Sequence, residues 1–161
     1  MGTSYVTNPL EFLINTLFGL YILLVMLRFL LAAVRADFYN PVSQFLVKVT
    51  NPPLLVLRRF IPSAGKIDTS SLVLMLILQL LSFTFISLLR GGPLAIWPML
   101  VLSLRELVEL ALNVFLFSIF IQVIISWVNP GTYNPVVSLL YSITEPVLRP
   151  CRRLMRPIYG L

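Results

Sequence analysis

The chain has no histidine, one cysteine and only six acidic residues. Without histidine, a His-ligated metal, a His-held haem and a His-based catalytic triad are excluded within this chain. The lone thiol, Cys151, excludes an internal disulfide. Charge of either sign is scarce: 11% of residues are charged, against about 25% in a soluble domain. The N-terminus also lacks a basic segment and a small-residue cleavage site, so the first apolar run reads as a retained helix and not a removed signal peptide. The acids are Glu11, Asp37, Asp68, Glu106, Glu109 and Glu145. Glu106 and Glu109 fall on neighbouring turns of one helix face. With no histidine and no placed nucleophile, they are expected at an outer interface beside Arg105, and the roles a catalytic site requires go unfilled. The sequence calls for no cofactor or metal.

What is abundant is apolar surface. Hydrophobic residues make up 58% of the chain and the mean hydropathy is +0.95. A chain of 161 residues cannot hide so much in one core, so it needs lipid as solvent. Three stretches reach the roughly 20 residues that cross a bilayer, over about 10–34, 70–89 and 100–128. The fold class is therefore an all-α membrane protein, a single bundle.

Basic residues fix the orientation. Arg35, Lys48, Arg58, Arg59 and Lys66 lie between the first two spans, and Arg149, Arg152, Arg153 and Arg156 follow the third. Only Arg90 and Arg105 flank the other side. The positive-inside bias predicts a multi-pass protein of the bacterial cytoplasmic (inner) membrane, with the N-terminus outside and both basic segments cytoplasmic. Trp97 and Trp127 fall at opposite ends of the third span, as interfacial anchors do. The net charge of +6 is thereby read as topology and contact with anionic lipid head groups, and not as nucleic-acid binding.

The last third of the chain repeats the first. Tyr39-Asn40-Pro41-Val42 returns as Tyr133-Asn134-Pro135-Val136, Thr50, Pro52 and Leu54 return as Thr144, Pro146 and Leu148, and Arg58-Arg59 returns as Arg152-Arg153, with no slip of register. The duplicated unit is a spanning helix, an amphipathic proline-broken hinge and a second spanning helix. The first repeat covers 1–92, with its hinge at 39–68; the second covers 93–161, with its hinge at 133–157. The second lacks its last helix in this chain, and a counterpart of the 70–89 span is expected a few residues beyond Leu161. In each hinge, Asn-Pro suits a turn that enters a helix, since Pro fits the first helical position. Val42, Phe45, Leu46 and Val49, and again Val136, Leu139, Leu140 and Ile143, make one apolar face. Such a helix suits the interface, or a re-entrant piece buried against the bundle. Thr50-Asn51-Pro52 and Thr144-Glu145-Pro146 read as a helix stop and a fresh cap, and Pro150 as a kink or a new start. Asp68 reads as the cap of the second span.

Alignment of the repeats pairs Glu11 with Arg105, Asn15 with Glu109, and Arg28 with Gln122. Two spans per unit make both copies enter the membrane in the same direction, about an axis along its normal. Glu11 and Arg105 would then share one depth near the outer surface and form an inter-repeat ion pair. Arg28 and Gln122 are intramembrane polar positions nearer the inner face. Arg28 is either a functional cation or a side chain that snorkels to the interface. Arg149, Arg152, Arg153 and Arg156, with Arg58 and Arg59 of the first copy, form a candidate surface for head groups, phosphate or an acidic partner; the alternative is a solvated face that only sets topology.

The pattern carried by Asn40, Pro41, Thr50, Pro52, Arg58, Arg59, Ile61, Pro62, Gly65, Ile67, Asp68 and Ser70 resembles the YggT (YlmG-related) family of bacterial and plastid membrane proteins. The resemblance covers nearly the whole chain, twice over. The second copy departs from it at Arg156-Pro157, where Ile-Pro is expected. The resemblance implies four spans in full bacterial members. It also implies links to osmotic tolerance, to cell division or nucleoid organisation, and in plastids to thylakoid biogenesis and cytochrome maturation, with no enzymatic activity.

Two functions remain in view: a non-enzymatic scaffold or assembly factor of the envelope, and a small channel or transporter component for ion or osmotic balance. The expected partners are membrane lipids together with a homo-oligomer or another membrane protein. Parallel repeats and proline-broken segments suit transport, while few ionisable groups within the spans argue against it.

Overall fold

A computed structural model describes residues 4–61, 68–129, 131 and 134–154. Among these residues there are five helices and no strands: α1 (Ser4–Ala33), α2 (Pro41–Phe60), α3 (Thr69–Leu89), α4 (Ile96–Val128) and α5 (Pro135–Leu154). Three are long and apolar enough to cross a membrane: Asn8–Ala33 within α1, all of α3, and all of α4. The 33 residues of α4 extend about 50 Å at 1.5 Å each. That length exceeds a hydrocarbon core of roughly 30 Å, and Trp97 and Trp127 are exposed near its two ends.

The apolar core lies where α1, α3 and α4 meet. Ile22, Val25 and Met26 of α1 pack on Leu74 and Met75 of α3 and on Leu107 and Val114 of α4, with Leu54 of α2 closing the cluster from below. A second cluster joins Leu31 and Ala36 at the end of α1 to Leu46 of α2 and to Leu139 and Ile143 of α5. The two amphipathic helices are thus packed under the spans and against one another. Outward-facing Phe12, Leu17, Leu112, Leu116, Phe117 and Phe120 are all more than half exposed. In water such a surface would aggregate; facing acyl chains it is the ordinary lipid contact of a spanning helix.

Helix ends set where the polar groups go. After α3, Gly91 takes φ +65°, and the amides of Gly91 and Gly92 donate to Leu88 O and Ser87 O. This pair of bonds is a Schellman closure. After α1 the same closure forms, with Arg35 and Ala36 donating to Ala32 O and Leu31 O. There the left-handed position is held by Arg35 at φ +54°, a conformation that glycine adopts freely and an L side chain resists. Ala36 and Leu31, the residues that such a closure brings into apolar contact, are both buried.

The expected proline break is corrected. Each hinge is one continuous 20-residue helix, α2 running through Pro52 and Pro53, and α5 through Pro146 and Pro150. Proline inside a helix costs about 3 kcal/mol because it removes a donor and its ring crowds the carbonyl four residues earlier. In α2 one of the two freed carbonyls is taken up from α1. Val49 O, which Pro53 leaves without its amide, accepts from the Tyr21 hydroxyl at 3.2 Å. Arg28 adds a bond from α1 to Val47 O at 3.3 Å, a carbonyl that the prolines leave with its own amide at Asn51. Tertiary contacts thus carry the helix across a sequence that reads locally as a stop.

Candidate functional site

Arg28 sits one turn above the end of α1 and is 8% exposed. It does not snorkel. Its Nη1 faces α2 and donates to the Thr50 hydroxyl at 2.8 Å and to Asn51 Oδ1 at 2.8 Å, besides Val47 O. Thr50 is fully buried and donates its own hydrogen to Leu46 O at 2.6 Å, which leaves its lone pairs free for Arg28. The second half repeats the device. Gln122 of α4, 7% exposed, donates from Nε2 to the Thr144 hydroxyl of α5 at 2.6 Å, while Thr144 donates to Leu140 O at 2.8 Å. A buried threonine on each amphipathic helix therefore receives a long polar side chain from the span before it. The intramembrane polar positions aligned by the repeat are the bolts that fix the amphipathic helices to the bundle.

The two amphipathic helices also meet at their starts. Asn40 Oδ1 caps α2 by accepting from the Val42 amide at 2.9 Å, and Asn134 Oδ1 caps α5 from the Val136 amide at 3.2 Å. These bonds satisfy the first-turn amides as an N-cap should. Asn40 then uses its Nδ2 to donate to Pro135 O at 2.7 Å, joining the first hinge to the second. The Asn-Pro signal announced both helix entries; nothing in the sequence announced the bond between them.

At the far end of α2, Arg58 pairs with Asp68 at 2.8 Å. Ser71 donates its hydroxyl to the same carboxylate oxygen at 2.8 Å, and Ser70 donates to Ile61 O at 2.9 Å. Residues 61 and 68 are thereby clasped at the two ends of the connection. Asp68 stands at the N-cap position of α3, but its carboxylate meets the Ser71 hydroxyl and makes no side-chain bond to a first-turn amide. Burial pushes its carboxyl upward, but the hydrogen bonds from Ser71 and Arg58 outweigh it and hold Asp68 below the usual carboxylate range. Ile61, Asp68, Ser70, Asn40 and Thr50, which carried the family resemblance, are in this structure framework residues.

The expected Glu11–Arg105 pair is also corrected. Glu11 forms a two-pronged ion pair with Arg90, at 2.9 and 2.8 Å, tying the N-terminal part of α1 to the end of α3. The Schellman turn at Gly91 sets Arg90 at that end, and α1 packs against α3 more extensively than any other pair of helices. Alignment of the copies indicated equivalent depth, and equivalent depth is not contact. The hydrogen bonds to Glu11 hold the Arg90 guanidinium still more firmly in its charged form. Arg105 stands exposed on α4.

The basic surface is partly described. Arg59, Arg149 and Arg153 are exposed, and Arg149 lies 4.0 Å from Glu145 one turn earlier. Arg58 is engaged with Asp68. Arg156 and the side chain of Arg152 lie outside the described residues, as do Pro62, Gly65, Lys66 and Ile67.

A third correction concerns Glu106 and Glu109. Glu106 accepts a hydrogen bond from Gln79, and Gln79 is at the middle of the 21-residue α3. Both acids line a cavity of about 310 Å³ between α1, α3 and α4, together with Asn15, Ser82 and Asn113. They are at membrane depth and not at the outer interface. Sequence spacing showed that they share a face, but only the packing of α3 showed which level that face occupies.

The sequence profile of the CCB3/YggT family matches residues 7–89 and 101–161. An uncharacterised protein of Pseudomonas aeruginosa is 47% identical over 152 residues, 93% of this chain and 77% of that protein. An uncharacterised protein from the proC 3′ region of Vibrio alginolyticus is 41% identical over 156 residues, 96% of this chain and 84% of that protein. Uncharacterised protein YggT of Escherichia coli K12 is 36% identical over 155 residues, 96% of this chain and 80% of that protein. No solved structure matches.

Proposed function

This chain belongs to the CCB3/YggT family, and from that premise we propose that it is a non-catalytic scaffold or accessory protein of the bacterial cytoplasmic membrane. One observation carries the reading: the paired amphipathic helices α2 and α5, bolted to their spans by Arg28 and Gln122 and joined at Asn40 and Pro135. A short amphipathic segment gains affinity for a surface or partner by being ordered beforehand, because the entropic cost of ordering is already met. Positive-inside orientation sets this platform on the cytoplasmic face and the N-terminus outside. Arg59, Arg149 and Arg153 then point to anionic head groups or an acidic membrane-protein partner. Osmotic tolerance, division and membrane-complex biogenesis, the processes implied by the family resemblance, could each use such a platform.

Gentle extraction of the natively expressed protein, followed by native mass spectrometry, tests the proposal. A stoichiometric foreign protein that is lost when Arg59, Arg149 and Arg153 are all changed to Glu supports it. A homo-oligomer without foreign protein moves the weight to the second reading, a small channel or transporter component. That reading is favoured by the polar cavity among the spans.

A further inference from the structure

The cavity between α1, α3 and α4 is polar where its surroundings are apolar. Its polar lining comes from Asn15, Gln79, Ser82, Glu106, Glu109 and Asn113. Three helices contribute, and every one of these side chains carries an oxygen that can accept or ligate. Asn15, Glu106, Glu109 and Asn113 are exposed, so the cavity opens on the outside of the bundle, where charged and amide groups facing acyl chains are costly unless partnered.

The hydroxyl of Ser82 points to a ligand independently of the acids. Ser82 is 4% exposed and lines the void. The hydroxyls of Thr16, Thr84 and Ser103, also on spanning helices, each fold back onto a carbonyl four residues earlier. Ser82 makes no such bond among the described residues. Ser118, equally buried on α4, makes no such bond either, so what sets the Ser82 hydroxyl apart is that it borders the void. Gln79 spends an N–H on Glu106 and keeps its carbonyl oxygen free. The cavity also borders the contact between the halves: Asn15 of α1 and Glu109 of α4 occupy equivalent positions in the repeat and line it together.

We propose that this cavity binds a small monovalent metal cation, coordinated by side-chain oxygens of α1, α3 and α4. Hard cations take carboxylate, amide and hydroxyl oxygens. Four of the six donors are neutral, and Arg105 next to Glu106 offsets part of the acidic charge, which favours a single positive charge over a divalent ion. Gly19 forms part of the wall, and a Cβ added there would meet nothing within 4 Å. A larger side chain at that position can therefore enter the void without displacing a neighbour.

The inference shares its cavity with the channel reading above, but binding and conduction are separable. Flux that fails while binding persists would sink conduction alone.

The test is the thermal midpoint of the purified full chain in detergent, titrated with lithium, sodium or potassium chloride against choline chloride at constant ionic strength. A saturable rise with one or more alkali cations, absent with choline, is expected. Glu109→Gln keeps the shape, removes the charge, and should weaken the apparent affinity by more than about tenfold, since loss of even an outer-shell partner costs that much. Gly19→Leu should abolish the response while favouring the helix, and so decides the matter if Glu109→Gln fails to fold. Glu145→Gln, on the surface of α5, should leave the response intact. An equal rise with choline, a rise that survives both Glu109→Gln and Gly19→Leu, a response to magnesium or calcium alone, or no response to any alkali cation would each overturn the proposal.

Discussion

Arg28 donates to the hydroxyl of Thr50 at 2.8 Å, across the junction of a spanning helix and an amphipathic one. The charge of Arg28 is met by oxygens of neutral groups alone: a hydroxyl, a side-chain amide and a main-chain carbonyl. In the other half Gln122, without charge, makes the equivalent bond to Thr144. What the position needs is reach and a donor, and the charge is secondary.

Substitution at this junction should follow that logic. Arg28→Gln should retain most of the stability, as Gln122 does in its own half. Arg28→Met should cost about 1.5–3 kcal/mol, the range for a buried hydrogen bond to a charged group. Thr50→Val, which removes only the hydroxyl, should cost about 1–3 kcal/mol by leaving Arg28 short of an acceptor. Thermal midpoints in detergent would read all three. Equal losses for Arg28→Gln and Arg28→Met would show that the charge itself is required.

Charge reversal should identify the partner of Glu11. Glu11→Arg and Arg90→Glu should each lower the thermal midpoint, and the double variant should recover it, since the pair is exchanged intact. Glu11→Arg combined with Arg105→Glu should show no recovery. Arg90 is exposed while Glu11 is largely covered, and through the exposed guanidinium the effect should shrink with added salt. Recovery with Arg105 in place of Arg90 would contradict the structure.

Asp68 gives a pH dependence of definite sign. Its carboxyl is held below the usual range by Ser71 and Arg58, so the folded state binds its proton more weakly than the unfolded chain. The stability it contributes is complete above the ordinary carboxylate value of about 3.9 and is lost as pH falls below that, through the folded value. The difference in midpoint between the wild-type chain and Asp68→Asn should therefore be constant near neutrality and vanish at strongly acid pH. A difference that grew on acidification would have the wrong sign.

Arg35 offers a gain in stability. It holds the left-handed closing position of α1, where an L side chain costs roughly 1–2 kcal/mol over glycine. Arg35→Gly should raise stability by up to about 1 kcal/mol, part of the relief being offset by the greater freedom of the unfolded chain. A lowered midpoint would mean that the Arg35 side chain makes a contact worth more than its strain.

Sequence reading went furthest where a local rule was also the global one. The three spans, the helix entries at Asn40 and Asn134 and the repeat all followed from residue type and spacing. It failed where tertiary contact overrode local preference. Pro52 and Pro53 announce a break, yet Tyr21 supplies a donor to Val49 O from another helix, Arg28 ties α2 to α1 beside it, and α2 continues. It failed too where alignment stood in for geometry. Arg105 is the repeat counterpart of Glu11, but Arg90 is the cation within reach. Glu106 and Glu109 were legible as one face and illegible as a cavity wall, because Gln79 and Ser82 lie on a different helix with no sequence signal linking them. The basic residues were visible at once; the Arg58–Asp68 clasp, which removes one of them from the free surface, was not.

The central claim is that α2 and α5 form one joined platform, clasped where Asn40 meets Pro135. A cysteine pair at these positions, Asn40→Cys with Pro135→Cys in a Cys151→Ser background, would test it directly in native membranes with a short bismaleimide. Rapid cross-linking within a single chain, at dilutions that abolish cross-linking between chains, is the result predicted. Two cysteines that label separately and never join within one chain would show that the platform does not exist.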